Sequence, residues 1–239
     1  ACDRGQKVIL AEQGPRLGGL LRFTDVDTDK PDLMNFKNLL VREVERRDID
    51  VRLNTVITPE NLTSFGADGV IFATGSLPSC PPVPGIGHAH KAMDMYDGKV
   101  KPGHKIVMVG GGLVGVEVAN HLASLLKEVT VVEMRDGIAL DEGPAPRKDL
   151  LQDLANNGAK AYTSTTVDEI TDHSVIVSGA HNEEIPADTV VLAIGRVSNT
   201  SLPEELTAAG VDVRIIGDAK EPGLAGAAIR EGYLLGRHL

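Results

Sequence analysis

Three glycines, at positions 110, 112 and 115, stand between a predicted strand and a predicted apolar helix. The strand covers Lys105–Val109, and the helix begins directly after the second glycine. In such a strand–turn–helix unit the first glycine permits a tight turn, the second lets backbone amides approach a pyrophosphate, and the third lets helix and strand pack closely. The unpaired N–H groups at the helix start would face the phosphates. Gly110, Gly112 and Gly115 are therefore candidate phosphate-binding residues.

An acidic residue completes this pattern. Glu133 ends the next predicted strand, residues 129–132, and follows Gly112 by about 20 positions, which is the spacing of an acid that binds ribose hydroxyls. Strand, glycines, helix, strand and acid in this order favour a dinucleotide site. The alternative is a glycine-rich α/β turn that binds no ligand.

The first residues of the chain repeat the second half of the same pattern. Residues 5–12 resemble a helix end, a buried strand and a terminal acid, Glu12. If Glu12 is a second ribose-binding acid, its glycine turn lies before Ala1. We therefore expect the chain to begin inside a βαβ unit, with residues 1–4 as the end of the crossover helix. The alternative is an edge strand that ends in a surface glutamate.

Composition narrows the classes of partner. The chain has 239 residues, a net charge of −10 and 42% hydrophobic residues, but no apolar run long enough to span a membrane. The acidic balance argues against nucleic acid and anionic membranes as partners. Cys2 and Cys80 are the only cysteines. They form no C-x-x-C motif and cannot hold a four-cysteine cluster, and so few cysteines fit a reducing cytoplasm.

The coarse pattern of elements predicts an α/β fold with parallel sheets covered by helices. Helices are predicted at 32–47, 146–157 and 223–239, and strands at 50–56, 68–75, 188–196 and 213–218. Three further short strands, at 161–166, 169–171 and 174–178, predict a small meander.

Two features occur twice along the chain. A strand ends in an acid at Glu12 and Glu133, and a buried strand ends in a glycine at Gly75 and Gly195. This doubling predicts two Rossmann-like nucleotide-binding domains. We place one at 1–83 and 212–239, and the other, inserted in it, at 84–211.

These motifs resemble those of the flavoproteins that bind two dinucleotides. The resemblance rests on residues 72–78, the glycines and acid at 110–133, residues 193–196 and 216–218, and a flavin-side loop at 16–21. It is greatest to the C-terminal region of multidomain old-yellow-enzyme relatives, the family of 2,4-dienoyl-CoA reductase, 2-enoate reductase and trimethylamine dehydrogenase. In that family an NAD(P)H domain is inserted in an FAD domain, so the FAD domain of this chain would lack its first strand and glycine turn.

The resemblance implies roles on the nicotinamide side. Gly110, Gly112 and Gly115 would hold the NAD pyrophosphate, and Glu133 would accept the adenosine ribose hydroxyls. A carboxylate there favours NADH over NADPH, although Arg135 would allow NADPH. Glu117 resembles a family glutamate near the nicotinamide, and the alternative is a solvated helix charge.

It also implies roles on the flavin side. Glu12 would bind the FAD ribose, Thr74 and Gly75 would pass close to the flavin nucleotide, and Asp218 would bond the ribitol. For Asp218 the alternative is the N-cap of the closing helix. The implied cofactor-binding set also contains Gly19, Gly195 and Gly217.

The activity implied for the parent enzyme is NADH-dependent reduction of an activated C=C bond. NADH would reduce FAD, and electrons would pass through an iron–sulfur cluster to FMN, the last two in an N-terminal TIM barrel of the same polypeptide. The alternatives are an NAD(P)H reductase for ferredoxin or quinone, and a non-redox ADP-binding module. No metal site is expected, since His88 and His90 lie in a Pro/Gly-rich segment without a convincing third ligand.

Overall fold

The computed structural model describes residues 1–27 and 30–239, which form two compact units. Unit 1 comprises Ala1–Leu77 and Arg196–Leu239, and unit 2 is the continuous segment Pro78–Gly195. Unit 2 thus lies between the two sequence segments of unit 1.

Helices and strands alternate along most of the chain. The helices of the described residues are α1 (Pro31–Glu45), α2 (Pro59–Leu62), α3 (Ala92–Tyr96), α4 (Leu113–Ser124), α5 (Pro144–Asn156), α6 (Ser201–Ala208) and α7 (Ala225–His238). The strands are β1 (Val8–Ala11), β2 (Ile49–Arg52), β3 (Val70–Phe72), β4 (Ser76–Pro78), β5 (His90–Lys91), β6 (Lys105–Val109), β7 (Glu128–Val132), β8 (Lys160–Tyr162), β9 (Thr165–Ile170), β10 (Ser174–Gly179), β11 (Glu183–Pro186), β12 (Thr189–Leu192), β13 (Arg196–Ser198) and β14 (Val213–Ile215).

The main sheet of unit 2 has the order β5-β12-β6-β7-β8, and its paired strands are parallel. Parallel neighbours need a crossover connection, which α4 provides between β6 and β7, and α5 between β7 and β8. Every residue of β12 is buried, so the strand predicted at 188–196 is confirmed in the core, although it is shorter. The α/β fold with parallel sheets is therefore confirmed.

A second, antiparallel sheet covers one face of this parallel sheet. Strands β9, β10 and β11 pair in the order β11-β10-β9. Val107 and Val109 of β6 belong to the same buried cluster as Val175 and Val177 of β10. Because side chains alternate along a strand, the other residues of β6 face the opposite side, where α4 packs.

The predicted meander was partly wrong. Its first predicted strand, at 161–166, is instead β8, which pairs with β7 in parallel at the edge of the main sheet. The crossover through α5 delivers β8 in the same direction as β7, so it cannot begin an antiparallel meander. The meander itself consists of β9, β10 and β11.

Unit 1 contains two short parallel pairs, β1 with β2 and β3 with β14. The predicted helix at 32–47 is confirmed as α1, which forms the crossover between β1 and β2. The strand predicted as buried at 68–75 is shorter and more exposed than expected, with Ile71 at 42% exposure. In the described residues β3 pairs with β14 alone, so its other edge and part of its surface stay open.

The units divide at 77/78 and 195/196, whereas the predicted domain boundaries are 83/84 and 211/212. The second difference arises because α6 contacts β14 and α2, which both belong to unit 1. The assignment of one cofactor to each unit stays a prediction.

Candidate dinucleotide-binding site

The turn between β6 and α4 requires glycine at its first position. Gly110 has φ of 101°, in the left-handed region, and a Cβ at this residue would lie 2.5 Å from the carbonyl oxygen of Ala193. Its N–H donates to the carbonyl oxygen of Val132 at 2.9 Å, which fixes the turn against the end of β7. The predicted tight turn at Gly110 is therefore present.

Gly115 brings α4 close to the strand that precedes it. A Cβ on Gly115 would lie 2.0 Å from the carbonyl oxygen of Gly110, a distance that no real side chain could adopt. The close packing of helix and strand predicted for the third glycine is therefore present. Gly112 is the N-cap of α4, and its own added Cβ would meet only ordinary contacts. The described residues thus show no steric need for glycine there, and its phosphate-binding role stays a prediction.

Gly111 is a sterically constrained position of the turn that the sequence analysis did not single out. A Cβ at Gly111 would lie 2.5 Å from Cγ2 of Ile138, so the segment after β7 packs directly on the glycine turn. The Ala139 N–H also donates to the carbonyl oxygen of Gly111 at 2.6 Å. The available signal was the run of three consecutive glycines, 110–112, because the motif spacing requires only Gly110 and Gly112 of that run.

Glu133 is buried, with 6% exposure, and its carboxylate lies against the glycine turn. The Gly111 N–H donates to Oε2 at 2.6 Å, and the backbone N–H of Arg135 donates to Oε1 at 2.8 Å. The Arg135 guanidinium also donates to Oε1, from Nε at 3.2 Å. The predicted acid therefore reaches the predicted turn, and Oε2 has one further acceptor direction for a ligand hydroxyl.

A second carboxylate, missed by the sequence analysis, lies at the start of α4. The Leu113 N–H donates to Oδ2 of Asp141 at 3.1 Å, and Nη2 of Arg135 lies 3.3 Å from Oδ1 of Asp141. Burial acts to raise the pKa of Asp141, but the Leu113 N–H and the Arg135 guanidinium outweigh it, so the pKa is below the ordinary value. Asp141 lies in the loop between β7 and α5, nine residues after the end of β7, and no motif in the sequence marks it.

Glu117 is half-buried near the start of α4. It lies in the helix that follows the glycine turn, and its role near a nicotinamide stays a prediction.

On the flavin side, Glu12 follows β1 directly and is half-buried. The Gly14 N–H donates to its Oε1 at 2.6 Å, so the carboxylate is turned toward the following loop. Gly19 begins a 3₁₀ turn, Gly19–Asp25, that contacts α1. These residues are close in the chain, and their binding of FAD stays a prediction.

Asp218 forms a polar cluster with two residues that the sequence analysis did not single out. The Ser76 hydroxyl donates to Oδ2 of Asp218 at 3.2 Å, and Nε of Arg196 donates to the Ser76 hydroxyl at 2.7 Å. The Gly223 N–H donates to Oδ1 of Asp218 at 3.2 Å. The alternative that Asp218 is the N-cap of the closing helix is wrong, because Leu224 is the N-cap of α7.

The other predicted cofactor-binding residues lie near strand ends. Thr74 is exposed and Gly75 half-buried between β3 and β4, and Gly217 donates its N–H to Oε2 of Glu231 at 2.7 Å. Gly195, at the end of unit 2, is exposed and follows β12. The cofactor roles of these residues stay predictions.

The family model described as pyridine nucleotide-disulphide oxidoreductase matches residues 22–220, which include both the glycine turn and Asp218. The chain belongs to this family. The predicted resemblance is thereby confirmed, and with it an FAD/NAD(P)-binding region of the type found in old-yellow-enzyme-type reductases.

Several relatives match nearly the whole chain. It is 36% identical over 243 residues to an NADH oxidase of Thermoanaerobacter brockii, covering 98% of this chain and 37% of that protein. It is 34% identical over 229 residues to a cinnamate reductase of Clostridium sporogenes, covering 92% of this chain and 34% of that protein. The solved structure of a 2-naphthoyl-CoA reductase complex superimposes with a TM-score of 0.92 at 29% identity, covering 99% of this chain and 36% of that one.

The family member described here thus spans well under half the length of these relatives. Among the described residues, no helix is both long and apolar enough to cross a lipid bilayer.

Proposed function

We propose that this chain is the NADH-binding and FAD-reducing portion of a flavin-dependent oxidoreductase, of the type that reduces 2-enoates or dienoyl-CoA esters with NADH. The observation that carries the proposal is the meeting of the glycine turn, the first N–H groups of α4 and the buried carboxylate of Glu133 in unit 2. The similarity to a protein named cinnamate reductase supports the substrate class.

The residues of unit 2 fit a dinucleotide. The start of α4 offers backbone N–H groups and a partial positive charge to a pyrophosphate, and Gly110 and Gly115 remove the side chains that would block the turn. Glu133 would accept the adenosine ribose hydroxyls, and its negative charge disfavours a 2′-phosphate, which supports NADH as the preferred donor. Arg135 lies beside this carboxylate and would still admit NADPH.

The residues of unit 1 would hold FAD in the parent enzyme. Glu12 would accept ribose hydroxyls, and Asp218, oriented by Ser76, would bond the ribitol. The proposed cofactor-binding set is completed by Gly19, Thr74, Gly75 and Gly217 of unit 1 and by Gly195, the last residue of unit 2.

When bound, the reduced nicotinamide supplies a hydride to the flavin. The task of this chain is to bind and orient the two nucleotides, with Glu117 near the nicotinamide. We further infer that FMN and an iron–sulfur cluster belong to an N-terminal TIM-barrel region of the same polypeptide, and that the reduced substrate binds there.

Calorimetric titration of the purified chain with NADH, NADPH and ADP tests this proposal. We expect NADH to bind more tightly than ADP, because the nicotinamide half adds contacts, and more tightly than NADPH, because Glu133 repels the 2′-phosphate. Equal affinity for ADP and NADH would instead favour the non-redox ADP-binding module. Absence of binding by the folded chain would reject a dinucleotide site.

A second measurement separates the two enzyme hypotheses. With added FAD, a dye-linked NADH oxidation assay reports whether the chain forms a working flavin site by itself. We expect slow turnover, because the parallel sheets of unit 1 have only two strands each in the described residues, and sheets of that size are marginal alone. Tight stoichiometric FAD with fast NADH–dye turnover would favour a reductase for ferredoxin or quinone.

A further inference from the structure

The start of α4 is already bonded to a negative charge from the protein itself. Gly112, the N-cap, has no side chain with which to cap the helix, and the Leu113 N–H donates to Oδ2 of Asp141 at 3.1 Å. The same oxygen would lie 3.5 Å from a Cβ on Gly112. Asp141 therefore occupies the place where the proposed function requires a pyrophosphate.

Asp141 is tied to the ribose-binding acid through one arginine. Arg135 contacts Oδ1 of Asp141 through Nη2 at 3.3 Å and Oε1 of Glu133 through Nε at 3.2 Å. The three side chains therefore connect the glycine turn with the start of α4, since Glu133 accepts from the Gly111 N–H and Asp141 accepts from the Leu113 N–H.

The two carboxylates differ in their freedom to move. The side chain of Glu133 is 7% exposed and accepts three hydrogen bonds, whereas the side chain of Asp141 is 52% exposed. The backbone of this loop is bonded to the glycine turn through the Ala139 N–H, two residues before Asp141. Glu133 is fixed by its surroundings. Asp141 can leave by rotation of its side chain into solvent, without disturbance of the buried core.

We propose that Asp141 is a built-in competitor for the nucleotide phosphates, which dinucleotide binding must displace from the start of α4. The inference rests on the proposed function. The Asp141 carboxylate and a phosphate oxygen would both accept from the Leu113 N–H. A phosphate bound there would lie beside the carboxylate, and the two negative charges would repel each other. Displacement of Asp141 also leaves Nη2 of Arg135 without this partner, so the guanidinium becomes available to a phosphate.

Calorimetric titration of three proteins tests this inference: the wild type, Asp141→Asn, and the matched control Asp136→Asn. Asp136 is exposed in the same segment, so its replacement removes an equal charge without a change at the Leu113 N–H. The amide of Asp141→Asn retains an oxygen that can accept the hydrogen bond from the Leu113 N–H, so the folded structure should persist, and the urea unfolding midpoint measures this.

We expect Asp141→Asn to bind NADH and ADP about tenfold more tightly than the wild type, because the neutral amide competes less strongly than the carboxylate for the Leu113 N–H. The gain for NADPH should be larger still, because Arg135 is released from the Asp141 charge. Asp136→Asn should bind all three nucleotides as the wild type does. A second readout is the amide ¹H–¹⁵N signal of Leu113, which inorganic pyrophosphate should shift at a lower concentration in Asp141→Asn.

Each other outcome has a distinct meaning. If the wild type binds NADH and Asp141→Asn binds it equally or more weakly, the competitor role is wrong and the dinucleotide site stands. An equal gain in Asp136→Asn would also overturn it, since general charge would then explain the result. If neither folded protein binds any nucleotide or pyrophosphate, the proposed function itself fails.

Discussion

At the scale of single residues, Glu133 connects the glycine turn to the end of β7 through hydrogen bonds within the protein. A buried carboxylate is costly unless it is hydrogen-bonded, and Glu133 meets that condition with N–H donors of Gly111 and Arg135. The same bonds place the carboxylate beside the glycine turn, where a ribose-binding acid is required. One side chain thus serves both the folded structure and the proposed ligand.

We predict that Glu133→Gln will destabilise the protein by about 1–3 kcal/mol, because the neutral amide weakens two acceptor positions and turns an NH₂ group toward N–H donors. Urea unfolding measures this loss, and calorimetry should show weaker NADH binding. Asp136→Asn, an exposed change in the same segment, is the control and should leave the unfolding midpoint unchanged. Equal stability of Glu133→Gln and the wild type would show that the buried bonds contribute little.

Gly115 allows a sharper test, because its added Cβ would lie 2.0 Å from a backbone atom, the Gly110 oxygen, which cannot rotate away. We predict that Gly115→Ala will displace α4 and destabilise the protein by about 1–3 kcal/mol. Gly226→Ala is the matched control, since Gly226 lies in α7 and its added Cβ would meet open space. It should be neutral or stabilising by up to about 1 kcal/mol. A similar loss in both variants would contradict the proposed close approach.

At the scale of elements, a side chain outside the candidate site fixes the beginning of β6. The N–H groups of Lys105 and His104 both donate to Oδ2 of Asp188, at 2.8 and 2.9 Å. These backbone donors hold the pKa of Asp188 below its ordinary value. Because the pKa is lowered in the folded state, the carboxylate contributes stability above its unfolded-state pKa, and this contribution disappears as the pH falls through the folded-state pKa.

We therefore predict that Asp188→Asn will lower the urea midpoint at neutral pH, and that the difference from the wild type will shrink as the pH falls below the ordinary range of an aspartate. A series of urea unfolding curves from neutral to acid pH measures this trend. Asp149→Asn, an exposed change on α5, is the control and should leave the urea midpoint at neutral pH unchanged. A constant difference at every pH would mean that the charge of Asp188 plays no part.

The elements also show which parts of the fold could be predicted from sequence. The unit β6–α4–β7 was predictable because its strands are buried on both faces and glycines mark the turn. The pairing of β8 with β7 was not, because a three-residue strand carries too little pattern to distinguish a parallel edge from a meander. Asp141 was missed for a related reason, since its contact with Leu113 depends on a loop path that residue spacing does not encode.

At the scale of the whole molecule, the two units differ in how completely each forms its own core. Unit 2 is continuous in sequence and contains the five-stranded sheet, the antiparallel sheet and the buried cluster between them. Unit 1 is built from two segments, and its parallel sheets have two strands each in the described residues. Sheets of that size are marginal alone, so unit 1 depends more on the packing of its helices.

We predict that the segment Pro78–Gly195, expressed alone, will unfold in one cooperative transition and bind NADH with the affinity of the full chain, because the glycine turn, Glu133 and Asp141 all lie within it. Circular dichroism during heating and calorimetric titration measure the two properties.

The matched control is the segment 84–211, which follows the boundaries predicted from sequence. It includes α6 without β14 and α2, so the buried side chains of Pro203 and Leu206 lose their cover, and we expect lower stability and self-association. If Pro78–Gly195 melts without cooperativity while 84–211 melts cooperatively, residues 196–211 belong to the nucleotide-binding unit after all.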